Sequence, residues 1–82
     1  MQRPQIDYPC QWQFRLIGPD AQRLRAIIAA EFSEHPHSVR DGHTSSGGKY
    51  CSVEVSAEVA SEQDRNERFA ALSTAEGVLT VL

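Results

Sequence analysis

The longest alternating run in the chain extends from Cys51 to Val59 and directly follows Gly47-Gly48-Lys49-Tyr50. Its odd-numbered positions are apolar or small, whereas its even-numbered positions are serine and glutamate. A period of two is expected of a β-strand that buries one of its faces. We therefore predict a central strand here, entered through a glycine turn.

A second alternating run extends from Cys10 to Ile17. It places Trp12, Phe14 and Leu16 on one face and polar residues on the other. This pattern predicts a first strand that is half-buried in the same way.

Gly18-Pro19-Asp20 ends this strand, and from Ala21 the apolar residues recur at the spacing of one helical stripe. Asp20 suits the N-terminus of such a helix as its cap or as an anion in its first turn. His35 precedes a proline, and a residue in that position is pushed out of the helical region. We expect the first helix to run from Ala21 to about Glu34.

The stretch 37–46 is polar and contains Asp41-Gly42, which would suit a bulge, so we predict an edge strand that faces solvent. Ser45-Ser46-Gly47-Gly48 supplies the hairpin turn into the central strand.

Ser61, with Asp64 three residues later, predicts the N-terminus of a charged second helix, anchored mainly by Phe69 and Leu72. Gly77 ends that segment, and residues 78–82 predict a closing strand.

The predicted order is βαββαβ. Its compact arrangement is an α+β, ferredoxin-like sandwich with two helices on one face of a four-stranded antiparallel sheet in the order 4-1-3-2. We expect residues 1–9 to form an N-terminal arm and residues 10–82 a single domain. The helix-covered face should carry Trp12, Phe14, Leu16, Cys51, Val53, Val55 and Val59. The open face should carry Gln11, Gln13, Arg15, Tyr50, Ser52, Glu54, Ser56 and Glu58.

Length and charge restrict the function. A chain of 82 residues has little core to spare for a deep catalytic cleft. A net charge of −3 argues against non-specific electrostatic binding to nucleic acid or to an anionic membrane. No apolar run is long enough to span a membrane, and the first residues lack the apolar core of a signal peptide. These observations predict a cytoplasmic protein.

None of the motifs that suggest a chemical function is complete. The glycine-to-lysine spacing of Gly42–Lys49 is one residue too long for a phosphate-binding loop, and a strand follows it. The three histidines, His35, His37 and His43, have no acidic or thiol partner at a metal-ligand interval. Cys10 and Cys51 should lie too far apart for a disulfide and are expected to be reduced. We predict no catalytic residue, no metal site and no cofactor.

The segment Lys49–Val55 loosely resembles an RNA-recognition strand, but such a strand needs aromatic rings on its open face. Here Ser52 and Glu54 occupy the ring positions, which argues against RNA binding. A simpler interpretation is that Arg15 faces Glu54 across the two central strands.

Three segments carry a family resemblance. They are Tyr8-Pro9 before the first strand, the stretch from Ser45 to Val53, and residues 78–82. Together they resemble the YbeD-like family of small uncharacterised bacterial proteins, over nearly the whole chain from Tyr8 to Leu82. The resemblance implies a ferredoxin-like fold similar to the ACT domain, a regulatory module that commonly binds amino acids or other small effectors. It does not imply an enzyme.

Two functional hypotheses follow from that resemblance and from the predicted faces. Ile17-Gly18-Pro19-Asp20 followed by Leu24 resembles the turn where ACT domains bring backbone amides to an effector's carboxylate, which makes Gly18, Pro19, Asp20 and Arg23 candidate ligand-binding residues. Gln22-Arg23 stand where a glycine is usual, and the alternative is that Asp20 only caps the helix.

In the second hypothesis, the domain is an adaptor that meets a protein partner through its polar edge strand and open face. Arg15, Lys49, Tyr50 and Glu54 are then the candidate partner-binding residues. In either case we expect a monomer or a weak homodimer.

Overall fold

The computed structural model describes residues 6–44 and 47–82. Residues 1–5 of the predicted arm and Ser45-Ser46 of the predicted turn lie outside the described residues. The elements are β1 (Cys10–Gly18), α1 (Ala21–Glu31), β2 (His37–Thr44), β3 (Cys51–Val59), α2 (Glu62–Thr74) and β4 (Thr80–Val81). The strands form one antiparallel sheet in the order β2-β3-β1-β4, which is the predicted order 4-1-3-2 read from its other edge.

The two alternating runs form the centre of the sheet. β1 and β3 pair without interruption, from Cys10 opposite Val59 to Gly18 opposite Cys51. Because side chains alternate across a strand, this register places the apolar positions of both strands on the same face. The predicted faces are therefore confirmed, including the position of Arg15 directly opposite Glu54.

The two outer strands differ from each other. β2 pairs with β3 along its length but shifts register between Asp41 and Thr44, at the predicted bulge. β4 is only two residues long, shorter than the predicted strand 78–82. Backbone hydrogen bonds extend its pairing, from Leu79 N to the Ile17 oxygen and from Leu82 N to the Arg15 oxygen, each 2.8 Å.

The core lies between the helices and the covered face of the sheet. α1 contributes Leu24 and Ile28, and Phe32 caps its C-terminus and is fully buried. The helix thus ends at Glu31, slightly before the predicted end near Glu34. The buried apolar residues of the core are Phe14, Leu16, Leu24, Ile28, Phe32, Val53, Val55, Ala57, Val59, Leu72 and Val81.

α2 packs against the sheet differently from the prediction. Leu72 is fully buried, but Phe69 is 43% exposed, so the prediction that Phe69 is a main anchor was wrong. The inward positions one and two turns before Leu72 hold arginines instead. The Arg68 guanidinium lies over the Phe32 ring and that of Arg65 over the Trp12 ring, at 4.7 and 4.6 Å from the ring centroids. Their aliphatic stems and cation–π contacts replace apolar anchors.

In the described part of the chain, no helix has the length and apolar character needed to cross a membrane.

Candidate functional site

A row of three charged side chains crosses the open face of the sheet. Glu54 on β3 pairs in register with Arg40 on β2 and with Arg15 on β1, so the three residues lie side by side. Glu54 is only 7% exposed although α1 and α2 pack on the opposite face of the sheet. We call Arg40, Glu54 and Arg15 the open-face row.

The Glu54 carboxylate is fully engaged. Its Oε1 accepts hydrogen bonds from Arg15 Nε at 3.0 Å and from Arg15 Nη2 at 2.7 Å. Its Oε2 accepts one from Gln13 Nε2 at 2.7 Å and lies 3.9 Å from Arg40 Nε. The Arg15 hydrogen bonds, with the positive charges of Arg15 and Arg40, hold the pKa of Glu54 below its ordinary value, against burial, which raises it.

The two arginines have more room than the glutamate. The Arg15 side chain is 50% exposed and that of Arg40 is 84% exposed. Within the described residues, Glu54 is the acidic group in ion-pair contact with either of them. Both guanidiniums therefore keep a solvent-facing surface beside a carboxylate that they share.

A shallow depression adjoins the row near the β2–β3 hairpin. Its volume is about 260 Å³, and Arg15 and the exposed Tyr50 both line it. Lys49 is also exposed and precedes Tyr50 in the hairpin. The lining residues are Arg15, Ile17, His43, Thr44, Tyr50, Cys51 and Ser52. Three of the four predicted partner-binding residues, Arg15, Glu54 and Tyr50, thus lie at one place or next to it.

The predicted effector residues also lie together, but their polar groups have partners within the chain. Asp20 Oδ1 accepts from the backbone N–H groups of Gln22 at 3.0 Å and Arg23 at 3.5 Å. Arg23 Nε donates to the Glu76 backbone oxygen at 3.2 Å. An effector carboxylate at this helix terminus would compete with the Asp20 carboxylate for the same amides.

The loop around Gly18 is also closely packed, whereas Pro19 is exposed. Gly18 is buried, and a Cβ atom placed on it would lie 2.4 Å from the Gly77 backbone oxygen. The segment before β4 therefore covers this glycine, and a ligand would reach its backbone only after that segment moved.

The sequence reasoning missed two members of the site, Gln13 and Arg40. Gln13 was placed on the open face by alternation, but its hydrogen bond to Glu54 depends on the diagonal offset across β1 and β3. Arg40 lies in the polar edge strand, where its partner is defined only by the register before the bulge. The signal that could have found both is a carboxylate at the centre of an otherwise serine-rich face, because its two oxygens can accept more hydrogen bonds than Arg15 alone donates.

Two of the histidines, His35 and His37, take structural positions. His35 Nε2 is 2.7 Å from the Glu58 backbone oxygen, and the His35 and His37 rings flank Phe32. Cys10 and Cys51 are free thiols at opposite ends of the β1–β3 pairing. Over residues 6–44 and 47–82, no three His, Cys, Asp or Glu side chains are placed to hold a metal ion together.

Comparisons with known proteins agree with this fold. The solution structure of protein HP0495 from H. pylori is similar, with a TM-score of 0.84 and 31% identity, over 99% of this chain and 89% of that one. The ACT domain from the GTP pyrophosphokinase of Chlorobium tepidum has a TM-score of 0.62, over 88% of this chain and 94% of that one. At 17% identity, that second likeness is one of fold. The ferredoxin-like, ACT-like architecture predicted from the sequence is confirmed.

The predicted family resemblance is confirmed as well. A UPF0250 protein of Hahella chejuensis is 34% identical over 83 residues, which cover 96% of this chain and 91% of that protein. The model of a family described as "Protein of unknown function (DUF493)" matches residues 3–82. Neither the family description nor the relative's name records an activity. The chain therefore belongs to the DUF493 family of proteins of unknown function.

Proposed function

We propose that this protein is a non-catalytic regulatory domain that acts by binding a protein partner through the open face of its sheet. The observation that carries the proposal is the open-face row, in which a buried carboxylate holds the Arg15 guanidinium beside the more exposed Arg40, on the face of the sheet opposite α1 and α2. The fold shared with an ACT domain supports the regulatory part. Arg15, Arg40, Lys49 and Tyr50 are the proposed contact residues, and Glu54 holds Arg15 in place.

The chemistry of Glu54 supports binding over catalysis. A general acid or base works best when its pKa lies near the working pH. The hydrogen bonds from Arg15 shift the pKa of Glu54 away from neutrality, and both of its oxygens already accept hydrogen bonds. This carboxylate is arranged to hold its neighbours in place.

Effector sensing at Gly18, Pro19, Asp20 and Arg23 is the second candidate function, and the local geometry gives it less support. The amides that would receive an effector's carboxylate already donate to Asp20. An amide chemical-shift titration with a panel of amino acids tests it. Saturable shifts concentrated at Gly18 and the first turn of α1 would favour sensing over partner binding.

The partner hypothesis is tested by blocking the face sterically. Ser56 lies at the centre of the open face, between Ser38 and Gln13 in the sheet register. Tyrosine is favourable in a strand, so Ser56→Tyr should keep the fold while it covers this surface. Ala29→Tyr, on the exposed side of α1, is the matched control.

We expect the tagged wild-type protein and the Ala29→Tyr variant to capture the same partner from a lysate of the source cells, and the Ser56→Tyr variant to lose it. Equal capture by all three proteins would refute the use of this face. If only the Ala29→Tyr variant failed to capture the partner, the interface would lie on the helices.

A further inference from the structure

The open-face row carries an excess positive charge. It contains two guanidiniums and one carboxylate, so one positive charge is left over, whereas the whole chain has a net charge of −3. Most of that excess is presented by Arg40, whose side chain is 84% exposed. The face is therefore locally basic on an acidic protein, and its field favours a negatively charged partner.

The charge is also polarised along the strands. Exposed Lys49 lies at the β2–β3 hairpin, whereas exposed Glu58 lies towards the other end of β3. Glu58 is about 13 Å from Glu54 at roughly 3.3 Å per residue. A negatively charged segment would thus be attracted across the arginines towards the hairpin and repelled by the opposite end of the face.

Arg15 is pre-organised to receive such a segment. Two of its nitrogens are fixed on Glu54 Oε1, and its Nη1 has no hydrogen-bond partner among the residues that the structure describes. A side chain that is already ordered loses less conformational entropy when it binds. The Glu54 carboxylate therefore orients Arg15 without occupying all of its donors.

The character of the face favours polypeptide over nucleic acid as the occupant. Single-stranded nucleic acid binds to rows of stacking rings, whereas the central positions here are Ser52, Glu54 and Ser56. A phosphate backbone would also bring charge close to Glu58. A short segment of glutamate or aspartate can place its carboxylates on Arg15 and Arg40 and extend towards Lys49, away from Glu58.

We infer that the open face binds an acidic polypeptide segment of its partner, whose carboxylates pair with Arg15 and Arg40. This inference rests on the proposed function and specifies the chemistry of the partner. The segment lies across the basic end of the face, and its binding weakens as salt screens the charges.

The experiment titrates the ¹⁵N-labelled full chain with a hexaglutamate peptide at low ionic strength, and with hexaglutamine as the neutral control. We expect saturable amide shifts at Arg15, Arg40 and Ser52 with hexaglutamate only. Arg40→Glu should weaken binding about fivefold, which is the scale of the exposed ion-pair interactions that it removes and reverses. Arg40→Gln, which places no second carboxylate beside Glu54, is the milder variant in case Arg40→Glu unfolds the sheet.

Arg25→Glu is the matched control. It makes the same charge change at a side chain that is 50% exposed, on α1, where Arg25 pairs with Asp41. Binding should stay within about twofold of wild type, because the two sites lie on opposite faces of the sheet. Raising the ionic strength to about 0.15 M, where the Debye length is about 8 Å, should weaken binding by the wild type.

Three results would overturn the inference: no saturable shifts with hexaglutamate, equal weakening by Arg25→Glu, or tighter binding of a hexauridine oligonucleotide to the same residues. A different result would refute the proposed function. If hexaglutamate does not bind but Ser56→Tyr still abolishes capture of the partner, only the acidic chemistry is wrong. If Ser56→Tyr leaves capture intact, the open face is not the interface.

Discussion

Truncating Leu72 to alanine tests how α2 is held against the sheet. Leu72 is fully buried and is the buried residue of this helix. Leucine-to-alanine changes in a core cost about 2–5 kcal/mol, from the lost apolar transfer energy and the cavity that remains. We expect about 3 kcal/mol, because the stems of Arg65 and Arg68 continue to hold the helix against Trp12 and Phe32.

A loss of this size is large for so small a domain. At about 0.05–0.15 kcal/mol per residue, a chain of 82 residues has a total stability of about 4–12 kcal/mol. With about 4–8 °C for each kcal/mol, Tm should fall by about 12–24 °C. Urea unfolding followed by Trp12 fluorescence measures the change directly, and Trp12 also reports on the docking of α2 because Arg65 lies over its ring.

Phe69→Ala is the matched comparison on the same helix. Phe69 is larger than Leu72 but 43% exposed, so its truncation should cost less than about 1.5 kcal/mol. The two values should therefore rank opposite to side-chain size. If Phe69→Ala were as destabilising as Leu72→Ala, Phe69 would have to face the core, and the helix rotation that this requires would break the arginine contacts with the two rings.

Three further predictions concern the loop and the face. Asp20→Ala should lower the free energy of unfolding by about 1 kcal/mol and Asp20→Asn by much less, as chemical denaturation would show; equal losses would contradict the capping role. Gly18→Ala should destabilise by about 1–3 kcal/mol, because its Cβ would meet the Gly77 oxygen, and an unchanged Tm would mean that the two loops are not packed together. The lowered pKa of Glu54 means that its stabilisation is present above the ordinary value of 4.5 and is lost as the pH falls through the folded-state pKa. The stability difference between wild type and Glu54→Gln should therefore narrow between about pH 7 and pH 3 in urea unfolding, and a constant difference would refute the pairing.

The centre of the fold was predictable from the sequence because periodicity and turn chemistry determine it. The alternating runs Cys10–Ile17 and Cys51–Val59 assign both faces of the sheet, and a one-residue slip would expose every core side chain. Asp20 and Ser61 were identified as the caps of the two helices, and both accept the expected backbone hydrogen bonds. The caps depend on residues that are close in sequence, and the assignment of the faces follows from burying one face of the sheet.

Other features depend on contacts between distant residues, and sequence periodicity does not report them. The packing of Arg65 and Arg68 on aromatic rings looks in sequence like a solvated charged face. The convergence of Gln13 and Arg40 on Glu54 requires the registers of two strand pairs at once. Alternation and the predicted pairing of the two central strands placed Arg15 opposite Glu54, but they did not predict the burial of the carboxylate.

That burial is informative because the fold does not require it. The apolar core lies on the helix-covered side, and serines at positions 52 and 56 show that small neutral residues suit the open face of β3. A buried ion pair adds little net stability, since desolvation offsets most of the attraction between the charges. The main physical effect of Glu54 is therefore to hold the Arg15 side chain in one position beside Arg40. A domain whose stability comes from its covered face is free to use the other face for recognition, and an ordered Arg15 beside the exposed Arg40 suits that use.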